Sequence, residues 1–285
     1  MLILASIWHN ELVKQRSYHS RKYFIDEGFF DVWSSTMAYV LGFWFADGYM
    51  RKEKSYRIVF CGNDLQILRD IRKAFKAKHP LQKSNRDQSW GLNLFSKRLY
   101  EQLQKLGGVR GKSKILTFPL VPKMYLRDFI RGYFDGDGSV CFVKYIRTKD
   151  QRLTKELRTN FTSGSRTFLE SLMNILHTEL GLALKVLGVF NDGASLKLGY
   201  GMKDSDALLH YMYYRKFPIG LKRKAAFLFR IPKYQKHFIK KNLIIPNIPI
   251  RATKSPLRRG SLASACVVCY EISTARVAER YTRNT

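Results

Sequence analysis

Two stretches decide how this chain folds: residues 38–48, AYVLGFWFADG, and residues 128–138, DFIRGYFDGDG. Laid over one another at an offset of 90 residues, Gly42 falls on Gly132, Asp47 on Asp137 and Gly48 on Gly138. Ala38, Gly42 and Ala46 recur at every fourth position, one stripe of small residues along a helix face, and Gly132 and Gly136 repeat the stripe in the second copy. A glycine inside a helix costs about 1 kcal/mol relative to alanine. Its appearance on the same face of both copies has a physical reason if the two helices pack directly on each other there. Ser34 and Ser35 are the residue types that cap a helix start. Gly48 and Gly138 are expected to stop each helix in the left-handed conformation.

The segments after the two copies also match. The first copy leads into a basic turn (Arg51, Lys52, Lys54), a strand over 56–61, a helix over 65–75 with Leu65, Leu68, Ile71 and Phe75 on one side, an alternating strand over 90–95 and a helix over 97–106. The second leads into a longer basic stretch, a strand over 157–162, a helix carrying Phe168, Leu169, Leu172, Leu176 and Leu180, a strand over 195–200 and a helix over 205–214. The chain is therefore read as an internal duplication. Its expected class is α+β: two pseudo-twofold-related αββαββα halves, with helices on one face of antiparallel sheet and the other face free. In Leu196-Lys197-Leu198 the apolar side chains point one way and the lysine the other, as on such a strand. The expected divisions are a leader at 1–33, a first half at 34–118, a second half at 119–232 and a basic, poorly ordered tail at 233–285, with 107–122 as the linker between the halves.

Composition points to the partner. Lys and Arg number 51 against 22 Asp and Glu, a formal net charge of +29 on 285 residues, and such a globule repels itself unless a polyanion neutralises it. A ribosomal protein or a peripheral membrane protein would share that balance, so charge alone gives nucleic acid without its kind. No apolar run approaches the ~20 residues that cross a bilayer. Residues 2–8 lack the basic flank and cleavage pattern of a secretory signal. The chain reads as soluble and intracellular, in a bacterial cytoplasm or an organelle. Four cysteines make no disulfide scaffold; Cys61 and Cys141 fall in strands as buried thiols, and the Cys266/Cys269 pair has no further zinc ligand near it.

The chemistry rests on Asp47 and Asp137. Each lies at the negative end of a helix dipole, where a carboxylate is disfavoured, and pairing the helices sets two negative charges together. A divalent cation relieves both penalties. Carboxylate oxygens suit Mg²⁺, which completes its shell with waters and substrate phosphates, better than zinc. On a basic chain that combination implies phosphodiester chemistry.

Both segments resemble the LAGLIDADG motif of homing endonucleases, and residues 118–139, FPLVPKMYLRDFIRGYFDGDGS, are similar to the approach to the second motif in double-motif, monomeric members. The resemblance covers about residues 22–232. It implies a saddle of antiparallel sheet over DNA with the motif helices on the pseudo-twofold axis, and site-specific cleavage of double-stranded DNA with two or three divalent ions, Mg²⁺, shared between Asp47 and Asp137. Asp135, opposite Phe45 of the first motif, is assigned to local hydrogen bonding. Lys197 is the catalytic candidate to hold a phosphate or the hydrolytic water, with Asn93 at the comparable place in the first half. Arg51, Lys52, Lys54 and Arg57 in one half, and Lys144, Arg147, Lys149, Arg152 and Lys155 on a longer ribbon in the other, are the expected DNA contacts. Two unequal motifs in one chain suit a monomer on a long asymmetric target. A start at Met1 and an end at Arg283-Asn284-Thr285 lack intein splice residues and suit an intron-encoded protein. An intron-splicing maturase that binds intron RNA, or a non-cleaving DNA-binding protein, would share the fold.

Overall fold

In a computed structural model of the chain, which describes residues 23–85, 87–146, 153–190 and 195–228, helix α1 (Ser35–Asp47) begins at a side-chain cap: the Ser34 hydroxyl accepts from the Met37 amide at 3.1 Å. Caps of this kind contribute about 1 kcal/mol each. Strands β1 (Gly48–Lys52) and β2 (Tyr56–Gly62), helix α2 (Leu65–Ala74), strands β3 (Leu81–Lys83) and β4 (Trp90–Phe95) and helix α3 (Lys97–Lys105) complete the first half. The second half repeats the order with α4 (Leu126–Asp137), β5 (Gly138–Ile146), β6 (Leu153–Ser163), α5 (Arg166–Leu180), β7 (Gly188–Phe190), β8 (Ser195–Tyr200) and α6 (Met202–Met212), followed by the short helix α7 (Lys222–Ala225). Asp64, Ser96 and Ser165 cap α2, α3 and α5 through their side-chain oxygens.

Each half forms one four-stranded antiparallel sheet, ordered β1-β2-β4-β3 and β5-β6-β8-β7. Residues expected as a basic turn after the first motif, Arg51 and Lys52, continue straight into β1, and only Lys54 lies in the turn. The longer stretch after the second motif is the ribbon of β5 and β6, in register from Gly138↔Phe161 to Ile146↔Leu153. Its tip, with Arg147, Lys149 and Arg152, lies outside the described residues, as do the tail at 233–285 and Cys266/Cys269.

The period of two sorts each strand. Ile58 and Phe60 of β2, Leu92 and Leu94 of β4 and Leu198 of β8 enter the core against the helices. Val59, Cys61 and Asn93 alternate onto the opposite face, with Asn93 opposite Val59 and bonded to Gln82 at 2.9 Å. Cys141 is buried and Cys61 half-buried, and neither is in a disulfide.

Helices α1 and α4 sit at the centre, and α1 is buried on every side from Met37 to Ala46 because α4 covers the face the sheet does not. The small-residue stripes meet reciprocally. A Cβ placed on Gly42 would stand 2.0 Å from the carbonyl oxygen of Phe129, and one on Gly132 would stand 2.0 Å from that of Tyr39. Phe129 precedes Gly132 by three residues as Tyr39 precedes Gly42, so the contact repeats itself across a local twofold. One turn further on, a Cβ on Gly136 would meet the Ala46 methyl at 2.4 Å, so this level of the interface holds one methyl and not two.

The helix stops differ from the sequence expectation. Gly48 has φ −106° and Gly138 φ −96°, both extended, and the chain runs from each helix directly into a strand. Glycine is required there for space: a Cβ would lie 2.2 Å from the Trp44 ring at Gly48 and 2.2 Å from the Phe134 ring at Gly138. The left-handed stop occurs instead at Gly181, φ 64°, after α5.

Candidate active site

Because α1 and α4 pack side by side and both end at an aspartate, the fold brings Asp47 and Asp137 to one place. A Cβ on Gly136 of α4 would sit 3.3 Å from an Asp47 carboxylate oxygen, so the absent side chain of the second motif is the space that the first motif's carboxylate uses. Both carboxyls are pushed above the ordinary carboxylate range, Asp47 by burial and then by the charge of Asp137, and Asp137 by burial. Both nonetheless keep part of their surface open to solvent.

Two lysines that the sequence pattern does not single out oppose that shift. Lys112, in the segment expected to be a plain linker, donates from Nζ to the carbonyls of Phe45 and Ala46, each at 2.6 Å. Lys224 of α7 donates to the carbonyls of Phe134, Asp135 and Gly138. Each ammonium therefore closes the open carbonyl end of one motif helix, and its charge favours the ionised forms of Asp47 and Asp137. Burial pulls both lysines down, Lys224 to about 7, with Asp47 and Asp137 acting in the opposite sense on each and Asp135 also on Lys224. Tyr133 stands in the same field, its hydroxyl raised by burial and by Asp137 while it donates to the Thr162 carbonyl at 2.8 Å.

The second motif helix is also tied to the segment that brings Lys224 in. Arg131, wholly buried, pairs with buried Asp128 at 2.7 Å and donates from Nε to the Ile219 carbonyl and from Nη1 to that of Met212, both at 3.0 Å. Asp135 is a hydrogen-bond acceptor, as expected, but its donors are not local in sequence. Its partners are Tyr39, Tyr213 and Leu221, each far away in sequence, because a carboxylate inside the helix pair has no solvent to turn to and no free donor on its own helix.

Of the expected DNA contacts, Arg51 and Arg57 are cross-strand partners on the sheet face away from the helices, and Lys197 opposite Thr162 lies on the same kind of face in the second half. Lys52 alternates to the helix side, where its ammonium lies 5.1 Å from the Tyr56 ring centroid. Lys144 and Lys155 are partners near the far end of the ribbon, Lys155 stacked 4.2 Å over the Phe142 ring. The cations acting on both aspartates are Lys112 and Lys224.

The side chains here that could hold a metal are two carboxylates, one from each motif. Among the described residues no cluster of three or more His, Cys, Asp or Glu side chains could hold an ion by itself. An ion at this pair would need its remaining ligands from water or substrate. No described helix is long and apolar enough to cross a membrane.

No family model matches the chain. The probable translation initiation factor IF-2 of Thermococcus kodakarensis is 27% identical over 156 residues, which are 52% of this chain and 12% of that protein. Among solved structures, the meganuclease I-SmaMI bound to uncleavable DNA superposes with a TM-score of 0.50 at 12% identity, over 71% of this chain and 90% of that one. The LAGLIDADG homing endonuclease I-LtrWI bound to its target DNA gives 0.46 at 12% identity, over 75% and 98%. Variants of the homing endonuclease I-DmoI give 0.46 at 17%, over 67% and 97%. With its two αββαββα halves and its motif helices packed through reciprocal glycines, the chain has the fold of the LAGLIDADG homing endonucleases.

Proposed function

We propose that the chain is a site-specific DNA endonuclease of the homing type, encoded within an intron, which as a monomer cuts both strands of a long asymmetric duplex using Mg²⁺. The convergence of Asp47 and Asp137 at the paired helix ends carries this reading. Two or three divalent ions held between these carboxylates would activate water and stabilise the leaving 3′ oxygen on each strand. Around that centre Lys112 and Lys224 hold the helix ends in place and set positive charge beside the scissile phosphates. The Lys224 ammonium gives a hydrogen bond to each of three main-chain carbonyls, so its part is to hold position and charge.

The free sheet faces are the expected DNA surface. Arg51 and Arg57 in one half, and Arg158, Asn160 and Lys197 in the other, project from the strands on that side, with Lys54 in the first-half turn, while Lys144 alternates to the other face of the ribbon with Phe142. Their unlike chemistry suits an asymmetric site. The test is selection from a randomised duplex library for molecules that the chain cuts in Mg²⁺, followed by affinity measurement on the recovered duplex without metal. About six to ten phosphate contacts should make affinity fall by ~10³–10⁵ between about 50 and 200 mM salt. Recovery of no cleavable duplex, or cutting that continues in chelator, would overturn the reading.

Stability should carry the same signature. The aspartates are raised in the folded chain, so they favour folding when protonated, and that contribution is lost as pH rises from about 4, for Asp47 up to about 8. Lys224 is lowered to about 7, so its own effect, a gain in stability with rising pH, begins only at about pH 7 and leaves the range from about 4 to 7 to the aspartates. In chelator the melting temperature of wild type should therefore fall relative to Asp47→Asn between about pH 4 and pH 7, and Mg²⁺ should remove most of the difference. Parallel curves for the two proteins would show that the pair is not strained in this way.

A further inference from the structure

The motif helices differ two residues before the aspartate, with Phe45 in the first and Asp135 in the second. Asp135 is 2% exposed and accepts three hydrogen bonds: from the Tyr39 hydroxyl of α1 at 2.8 Å, from the Leu221 amide at 2.7 Å and from the Tyr213 hydroxyl. Tyr213 follows α6, and Leu221 is the residue on which α7 begins. Asp135 thus grips both ends of the segment that delivers Lys224, and its own main-chain carbonyl receives the Lys224 ammonium at 3.0 Å. The Leu221 amide is three residues from Lys224, within one helical turn, so its hydrogen bond fixes where α7 starts and where the Lys224 side chain departs.

Lys112 is held differently. Its segment is anchored by the Ser165 hydroxyl, which donates to the Leu116 carbonyl at 2.6 Å, and by Leu116 entering the core. The residue matching Asp135 in the first motif, Phe45, packs edge-on against Phe129 and makes no polar contact through its side chain. The two lysines therefore close equivalent helix ends through unlike supports, and a change at Asp135 reaches one of them.

We propose that Asp135 is a positioning residue that sets Lys224 at the end of the second motif helix and so controls the cutting of one DNA strand in preference to the other. The inference rests on the endonuclease reading above. With one lysine at each motif helix end and two strands to cut, displacing Lys224 slows the strand whose phosphate it serves. A displacement of about 1 Å in a reacting assembly costs up to ~10²-fold in rate.

The experiment uses a supercoiled plasmid carrying a duplex that the wild-type chain cuts, with the order and identity of strand nicks read from end-labelled DNA. Asp135→Ala should slow one strand about tenfold or more, accumulate nicked circles with the nick always in the other strand, and leave DNA affinity in Ca²⁺ within about twofold. Lys224→Met should slow the same strand. Asp135→Asn, which keeps an acceptor for two of the three donors, should recover part of the rate. Should Asp135→Ala fail to fold, Tyr213→Phe removes one donor at constant shape and should show the same strand bias in smaller measure. Equal slowing of both strands in a folded variant, no slowing, or slowing of the strand that Lys224→Met spares would overturn the proposal while wild-type cutting left the endonuclease reading intact. Absence of wild-type cutting would overturn that reading, and this one with it.

Discussion

Replacing Asp47 or Asp137 by asparagine should lower the rate of double-strand cleavage at least about a thousandfold, equivalent to ~4 kcal/mol of transition-state stabilisation, in a chain that still binds DNA. Asparagine keeps the shape and one oxygen but removes the charge that holds a hard cation. Because each carboxylate is raised by burial, and Asp47 also by its neighbour, the same substitution relieves repulsion in the metal-free protein. Each variant should therefore be more stable than wild type in chelator while being inactive in Mg²⁺. Its metal-free DNA affinity should be equal or higher, since one negative charge beside the phosphates is gone. Stability and cleavage moving in opposite directions separates a functional strain from a structural role, in which both would fall together. Retention of more than about a tenth of the wild-type rate by either variant would place the chemistry elsewhere.

Much of this site was legible because it is built on periodic elements. The motif stripe, the matching flanks, the Ser34 cap and the alternation at Leu196-Lys197-Leu198 each follow from a spacing that one helix or strand imposes. What the sequence hid lies off those periods. Lys112 comes from a segment rich in glycine and lysine between the halves, and Lys224 from a four-residue helix after α6. They follow their aspartates at unequal intervals, in part because the second half carries the longer ribbon, so aligning the repeats does not lay one on the other. The signal was the helix ends themselves: two runs of open carbonyls, buried by the packing of α1 on α4, need donors from somewhere. The partners of Asp135 were hidden for a related reason. Its place in the motif suggests local hydrogen bonding, but its donors are on residues 39, 213 and 221, which no local pattern connects.

The glycines at the helix crossing should prove harder to replace than the aspartates they present. In Gly132→Ala the new Cβ would stand 2.0 Å from the Tyr39 carbonyl oxygen and 2.9 Å from the Phe43 amide nitrogen, and in Gly42→Ala 2.0 Å from the Phe129 carbonyl oxygen. Ordinary carbon–oxygen contact lies at about 3.3 Å or more. Both partners are backbone inside buried helices, so relief requires the helices to separate by more than ~1 Å, opening the interface along its length. Alanine's better helix propensity returns only about 1 kcal/mol. The net loss should be about 3 kcal/mol or more, at or beyond the upper part of the range for overpacked cores and a large share of a typical folding stability. Gly136→Ala meets a different obstacle, the Ala46 methyl at 2.4 Å, which is a side chain and can be removed. Alone it should destabilise strongly; combined with Ala46→Gly it should regain most of the loss, because the level again holds one methyl. No comparable exchange should rescue Gly132→Ala, whose opponent is the main chain. Chemical denaturation of the four single variants, Ala46→Gly among them, and of the double variant measures both the cost and the coupling. A Gly132→Ala protein within about 1 kcal/mol of wild type, or an uncoupled Ala46/Gly136 pair, would mean that the motif helices do not approach as closely as their glycines allow.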